Sequence, residues 1–520
     1  MSDTAVAEEL RGTPRNPATP RQRWTLAATI LGSAMAFIDT TVINVALPVM
    51  QTELRAGVDD AQWIVDSYLL VLSALILAGG SLGDRLGRVR VFAFGVLTFA
   101  VASVACGAAP GPLSLIAARA LQGVGAALLV PGSLAIINET FPREERGRAI
   151  GTWSALTSLA IIAGPLLGGF LVQSWSWRAV FYINVPIAAV VLWAVWRHVP
   201  ASKRENAGSI DWLGTLLITL GLGAVTYAVI EHMPVVGIAG VAALIAFVFV
   251  QRRAANPIVP LSLFRSRSFT AANVLTLLLY AALSAATFLL PFNLIQVQDY
   301  SPAAAGAAFL PFVATMSLLS RWTGALADRI GARLPLIAGP LIAAAGFALL
   351  ALPSIGGTYW TTFFPGVLVL GIGMSVTVAP LTATVMTSIE DERYSGAASG
   401  INNAVARAAG LLSIAVFGAM AVFVFGRELE RNLRAAPPAV RQAMQAQAIR
   451  LADARPPAGV DAATKTRVER AVKQSFVSAF RVNVLTAALL AALAALGGAM
   501  VRRRDDHARG DGLQGEQHHR

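Results

Sequence analysis

The sequence predicts an all-α polytopic membrane protein, and three observations carry that prediction. The 520 residues are 56% hydrophobic and only 13% charged, with a mean hydropathy of +0.63. A soluble chain of this length needs far more polar surface, because its exterior must face water. Apolar stretches of about 20 residues, enough to cross a bilayer as helices, recur along the whole chain. Between them, arginine and lysine gather in every second loop, the pattern that orients spans with their basic loops inside.

The first stretch, 24–50, follows a polar segment with Arg11, Arg15, Arg21 and Arg23. That segment lacks the apolar run of a cleavable signal, so the span serves as its own insertion signal. Stretches at 61–83 and 91–109 flank a glycine-rich turn. The next, 113–140, is interrupted by Arg119 and Pro131, and is kept as one span because proline is tolerated in a buried membrane helix. Those at 149–173 and 178–197 complete a first group of six. Two more, 211–231 and 235–251, precede a second group at 269–292, 302–327, 334–353, 360–388, 396–426 and 478–501, which makes fourteen. The basic loops carry Arg85, Arg88 and Arg90, then Arg143, Arg146 and Arg148, then Arg197, Lys203 and Arg204. The series continues with Arg252, Arg253, Arg265 and Arg267, then Arg329 and Arg333, then Arg393, whereas the intervening loops hold little beyond Arg55 and Arg178.

This alternation with an even span number puts both termini in the cytoplasm of a protein in the inner (cytoplasmic) membrane. The expected organisation is a cytoplasmic tail (1–23), a six-helix bundle (24–197), two extra linker helices (198–268), a second six-helix bundle (269–501) and a basic tail (502–520). The charged, helix-prone segment 427–477 falls on the outer side. It reads either as a docking surface for a periplasmic adaptor protein or as a solvated helical hairpin.

The net charge of +12 is spread over many loops instead of forming one patch, which argues against a nucleic-acid partner. Cys106 is the only cysteine, so neither an intrachain disulfide nor a cysteine metal cluster is available. His507, His518 and His519 sit in a polar tail. The sequence has no phosphate-binding loop, no metal-ligand cluster and no nucleophile set, so neither an enzyme nor an ATP-driven pump is expected. The lipid bilayer is the partner this composition implies, and no cofactor is expected.

The chain also repeats itself. GGSLGDRLGRVR (79–90) resembles TGALADRIGARL (323–334), with Asp84 and Asp328 standing 244 residues apart, and RGRAIG (146–151) has a weaker echo near the same offset in 393–400. The first six spans therefore correspond to the last six. Two similar bundles around a cavity are how many secondary transporters are built.

Five motifs sharpen this. FIDTTVINVALP (37–48), GSLGDRLGR (80–88), RALQGVGAA (119–127), GPLLGG (164–169) and WSWRAVFYINVP (175–186) together resemble the major facilitator superfamily, in particular its fourteen-helix drug:proton antiporter branch. The resemblance covers nearly the whole chain. It implies the major facilitator fold of two six-helix bundles plus two inserted helices, and proton-coupled export of drug-like or amphipathic, cationic small molecules. Relatives dedicated to one metabolite, antibiotic or lipid share all these motifs, so that alternative stays open, as does a non-transporting membrane sensor.

Each motif has a physical reading. In the loop motif, Gly80, Gly83 and Gly87 permit a tight turn and close helix approach. Asp84 suits the start of the next helix. Arg85 and Arg88 can pair with carboxylates across the bundle, making a cytoplasmic latch or a plain basic anchor. Asp328 and Arg329 hold the matching places of a degraded second copy. In GPLLGG, Gly164, Gly168 and Gly169 are expected on one side of the fifth span, where helices touch, and Pro165 can bend it. By resemblance this antiporter motif favours export.

The candidate proton site starts from a cost: a charged carboxylate at mid-membrane costs on the order of 3 kcal/mol on insertion scales. Asp39 lies roughly 16 Å from the outer end of the first span, while Asp66 and Arg119 enter their spans from the same side at about 9 Å. The three are expected to converge in the outer half of the first bundle, as a proton-coupling group or as a static bridge. Arg407, Asn402, Asn403 and Asn44 are candidate cavity residues, and Trp63, Tyr68, Phe288 and Phe292 either line an apolar cavity or face lipid. Arg321 is expected to snorkel. Asp39 has no acidic counterpart in the second bundle, so acidic contacts to a cationic substrate must come from the first.

Overall fold

The computed structural model describes residues 19–200, 211–255, 257–388 and 395–501. Lys203, Arg204, Arg393 and the tail histidines lie outside that range, as do the side chains of Asp84, Arg143, Arg146, Arg148, Arg321 and Asp328.

Helix α1 (Pro20–Leu54) opens with a capping box: Thr19 Oγ1 accepts from the Gln22 amide at 3.3 Å, and Gln22 Oε1 accepts from the Thr19 amide at 2.8 Å. This satisfies donors that the first turn leaves free. It is followed by α2 (Val58–Leu86), α3 (Arg88–Gly107), α4 (Pro112–Thr140), α5 (Arg143–Ser174) and α6 (Ala179–His198). Then come α7 (Trp212–Ile230) and α8 (Pro234–Arg253). The second group is α9 (Arg267–Phe292), α10 (Pro302–Ala307) leading into α11 (Leu310–Ile330), α12 (Arg333–Leu350), α13 (Phe364–Thr387), α14 (Ser395–Asn432), α15 (Pro438–Gln445) and α16 (Ala462–Met500). Asp211, Ser266, Ser301 and Asp461 cap α7, α9, α10 and α16 through their side chains. All fourteen expected stretches are helical, and among the described residues there is no strand. Among the described residues, twelve segments are long and apolar enough to cross a membrane; the other two expected spans lie in α2 and α5.

The internal repeat is visible in the backbone. Gly87 (φ 99°) joins α2 to α3, and Gly331 (φ 85°) joins α11 to α12 at the equivalent place. Both need the left-handed region that glycine enters freely. Gly80 and Gly83 are helical, so the turn itself depends on Gly87. Asp84 falls in the last turn of α2, not at the start of α3. Packing repeats too: α2 and α3 lie on α4, and α1 lies on α5 and α6; likewise α11 and α12 lie on α13, and α9 on α14 and α16. The inserted pair α7–α8 packs on itself, α7 touches both α2 and α14, and α8 is largely exposed.

The two halves meet at the end opposite the loop motifs, here the far end. Gln62 of α2 donates to the Ile414 and Ala415 carbonyls of α14 at 2.7 and 3.0 Å. Gln296 donates to Gln51 at 3.1 Å, and the Ala303 amide donates to Gln173 at 3.3 Å. The segment 427–477 is helical as expected, but it is not a free hairpin. It continues α14 and α16 past the far end and folds α15 and a short 3-10 turn back between them, burying Val440, Met444 and Leu451. Ile449 packs against Gly57 at the start of α2, and Thr52 of α1 donates to Asp453 at 3.3 Å.

Close helix contact is set by small residues. A Cβ on Gly79 of α2 would collide with the Ala127 carbonyl of α4, whereas one on Gly111 would meet open space. Gly79→Val should cost about 1–3 kcal/mol by overpacking and lower the melting temperature in detergent, while Gly111→Ala leaves it unchanged.

Candidate functional site

Five helices of the first half converge on one carboxylate. Asp39 is 1% exposed and Arg119 is 0% exposed. Arg119 Nη1 donates to Asp39 Oδ2 at 2.5 Å and to Gln122 Oε1 at 2.7 Å, and its Nε donates to the Ile64 carbonyl at 3.0 Å. Asp39 Oδ1 accepts from Gln122 Nε2 at 2.8 Å and from Asn184 Nδ2 at 3.3 Å. Ser103 Oγ accepts from both amides, at 2.9 and 3.3 Å. The Tyr68 ring lies 4.3 Å from the guanidinium carbon. Arg119 and Gln122 are three apart on α4 and so share a face, aimed together at α1. Gln122, Ser103 and Asn184 were not singled out from the sequence. Their signal was there: each is an uncharged polar side chain within an apolar span, toward the same end as Arg119.

Such a pair is held by geometry. Taking both charges out of water costs several kcal/mol, repaid only when the remaining lone pairs and protons find partners. Here both Asp39 oxygens are engaged, and among the described residues of the group Arg119 Nη2 and Asn184 Oδ1 are buried without a hydrogen bond.

Asp66 does not join this group, contrary to the expected convergence of three charges. Ile64 and Tyr68 face Arg119, and Asp66, two residues from each, points about 200° around the helix. It is fully buried, and neither carboxyl oxygen has a hydrogen-bond partner. Gln62, one turn earlier on α2, reaches across to α14, so Asp66 lies on the face of α2 that meets the other half.

The remaining candidates scatter. Tyr68 is buried beneath Arg119, with its hydroxyl donating to the Ala36 carbonyl at 3.4 Å. Phe288 and Phe292 pack on each other 5.5 Å apart, each 1% exposed, so in this state they form core and line no open space. Trp63 sits at the far end instead, donating to Glu231 at 3.4 Å beside Tyr227. Asn44 is half-buried on a stripe of α1 with Phe37, Thr40 and Thr41. Asn402 donates to Asn273 and Thr276 of α9 at 3.2 and 2.7 Å, Asn403 is exposed, and Arg407 is half-buried one turn from Asn403.

The motifs take their places around this. Arg85 and Arg88 are half-buried and Arg329 is exposed at the motif end. The antiporter-motif glycines do not share one side of α5. Gly164 and Gly168 pack on Thr41 and Val42 of α1, while Gly169 packs on Pro302 of α10 and the Pro165 carbonyl abuts Gly306. The motif thus joins α5 to its own half on one face and to the other half on the next. Trp177 donates to Glu53 at 2.7 Å and Arg178 to the Ala109 carbonyl at 3.3 Å, pinning the α5–α6 turn to α1 and α3.

Comparison with known proteins decides the family. The description of the Major Facilitator Superfamily matches residues 29–414. The chain belongs to the major facilitator superfamily. It is a multi-pass membrane protein of a transporter family, not an enzyme. It is 35% identical over 510 residues to the multidrug resistance protein Stp of Mycobacterium tuberculosis, covering 95% of this chain and 94% of that one. It is 30% identical over 529 residues to the tetracenomycin C resistance and export protein of Streptomyces glaucescens, covering 97% of each. In fold it resembles a bacterial homologue of the human lysosomal transporter Spinster, with a TM-score of 0.64 at 19% identity over 94% of this chain and 99% of that one.

Two predictions follow from these contacts. Arg119→Gln strands a buried carboxylate and should cost about 3–5 kcal/mol. Asp39→Asn combined with Arg119→Gln should cost clearly less than the sum of the singles in thermal unfolding. At the far end, burial first, then nearby Glu231, push the Asp59 carboxyl up to about 6, with His232 opposing and Asp60 adding to the rise. A raised carboxyl favours the folded contact at low pH and loses that contribution as pH climbs from about 4 to about 6. Amide exchange in the α7–α8 turn, corrected for its intrinsic rate, should therefore increase over that window and lie flat in Asp59→Asn.

Proposed function

We propose that the chain is a proton-coupled antiporter that exports drug-like amphipathic molecules by alternating access. The names of its relatives, which cite multidrug resistance and export of an antibiotic, support the export reading. The basic loops support a cytoplasmic-membrane protein of fourteen spans with both termini inside, so that the far end faces out. On that reading the hydrogen-bonded far end is the closed outer gate, and the space between the halves opens inward.

The observation that carries proton coupling is the contrast between two acids in one bundle. Asp39 is engaged by a guanidinium and two amides. Asp66 is buried at the seam with both oxygens bare. A bare buried carboxylate is costly as an anion and far cheaper as the neutral acid, which makes Asp66 the acid suited to carry the coupled proton. Parting of the halves at the far end admits water to it, and the exchange of proton for substrate is read out there. Asp39 balances Arg119 and takes part when α4 shifts. One inward proton supplies roughly 2.3 kcal/mol per 100 mV, about a fifty-fold gradient of a neutral substrate. The dedicated export of one metabolite is a second reading, favoured by relatives named for a single antibiotic.

In proteoliposomes with an imposed proton gradient, Asp66→Asn should collapse the roughly fifty-fold accumulation toward unity while substrate exchange without a gradient persists. Gradient-driven accumulation equal to wild type would remove Asp66 from coupling.

A further inference from the structure

We propose that Arg407 anchors an acidic group of the transported molecule, so that the exporter favours amphipathic anions over cations. This rests on the exporter reading above and adds the charge of the cargo to it.

The position comes first. Residues 403, 407, 410 and 414 form one stripe of α14 at helical spacing. Its upper part meets the other half: Ile414 accepts from Gln62, and a Cβ on Gly410 would lie 3.9 Å from Leu69 Cδ1. Arg407 lies one turn inside that closure, where the stripe becomes partly exposed, and Asn403 one turn further is fully exposed. Arg407 therefore lies just inside the contact between the halves, where α14 begins to lose its cover.

Its charge is uncompensated. Among the described residues Arg407 makes no ion pair, and its buried Nε has no hydrogen-bond partner. The titratable group facing it is Tyr68, which carries Arg119 on its ring as well. Neither acid of the first bundle reaches it. Asp39 is consumed by Arg119, Gln122 and Asn184, and Asp66 is absent from the groups that act on Arg407. The acidic contacts that a cationic cargo would need are thus occupied or turned elsewhere, and the open charge at this level is positive.

A second donor stands at the same height. Thr276 of α9 accepts from Asn402, and Ser284 lies 3.1 Å from where a Cβ on Gly410 would be. Tyr280, one turn from each, is therefore level with Arg407, and its hydroxyl makes no hydrogen bond among the described residues. A planar guanidinium fork, with a phenol at the same height on the neighbouring helix, suits a carboxylate, sulfonate or phosphate. A lone cation in a low-dielectric site is costly until such a group arrives. An inside-negative membrane also expels anions, so cargo and proton are driven by the same field.

The test uses two xanthene dyes of like size, carboxyfluorescein and a cationic rhodamine. Their transport is driven by a proton gradient in proteoliposomes of phosphatidylcholine, with and without phosphatidylglycerol. Wild type should move carboxyfluorescein with the lower KM. Arg407→Gln should raise that KM about ten- to a hundredfold with Vmax little changed, leave rhodamine as it was or improve it, and be partly rescued in Arg407→Lys. Four results overturn the proposal: rhodamine preferred and carboxyfluorescein indifferent to Arg407→Gln; equal loss for both dyes, which makes Arg407 a gate residue; a wild-type KM for carboxyfluorescein that rises with phosphatidylglycerol, which makes a lipid headgroup the occupant; or neither dye driven in wild type. Only the last also fells the exporter reading.

Discussion

The structure depends on how a charge is kept inside an apolar bundle. Asp39 and Arg119 sit where an ion alone costs on the order of 3 kcal/mol even by the mildest scale. They persist because α1, α2, α3, α4 and α6 each contribute a group to the same knot. The knot fixes the relative rotation of those five helices, since a twist of any one strands a polar atom. Small residues then bring the backbones together around it, as at Gly79 against Ala127. The first half is in this sense organised from its one satisfied charge pair outward, and the second half, which lacks a counterpart to Asp39, is organised by apolar and small-residue packing.

That asymmetry divides the labour. The charges of the first half are neutralised internally or directed at the seam. Among the described residues, the second half presents Arg407 toward the same seam with no acid paired to it. Asp66 and Arg407 lie on facing helices, α2 and α14, which touch near the far end. In the proposed cycle, rigid-body rocking of the two halves changes what both side chains see and gives proton and cargo a shared moving part.

Much of this was legible in the sequence. Hydropathy placed a helix at each of the fourteen expected stretches, because lipid forces every span to satisfy its own backbone, although α14 runs on to Asn432 and α16 starts already at Ala462. The 244-residue repeat was confirmed at Gly87 and Gly331, where a backbone requirement preserves the residue. Depth along a helix was also readable, and Asp39 with Arg119 followed from it. Rotation about the axis was not. Asp66 had the right depth and the wrong azimuth, Gly169 turned to a different neighbour from Gly164, and Trp63 faced the inserted pair. An apolar span has too little amphipathic contrast to reveal which side faces protein. The amides that complete the Asp39 site were overlooked because attention went to formal charge, whereas in a dry interior a glutamine is nearly as informative.

Helix α7 touches α2 of one half and α14 of the other. A helix wedged along a joint cannot stay seated on both partners when they separate, so it must slide on one of them. In the cycle proposed above, it thereby keeps acyl chains from flooding the cleft, acting as a gasket on a moving seal. The two helices that distinguish this chain from a plain pair of bundles thus tie the speed of its cycle to how smoothly one apolar surface slips over another.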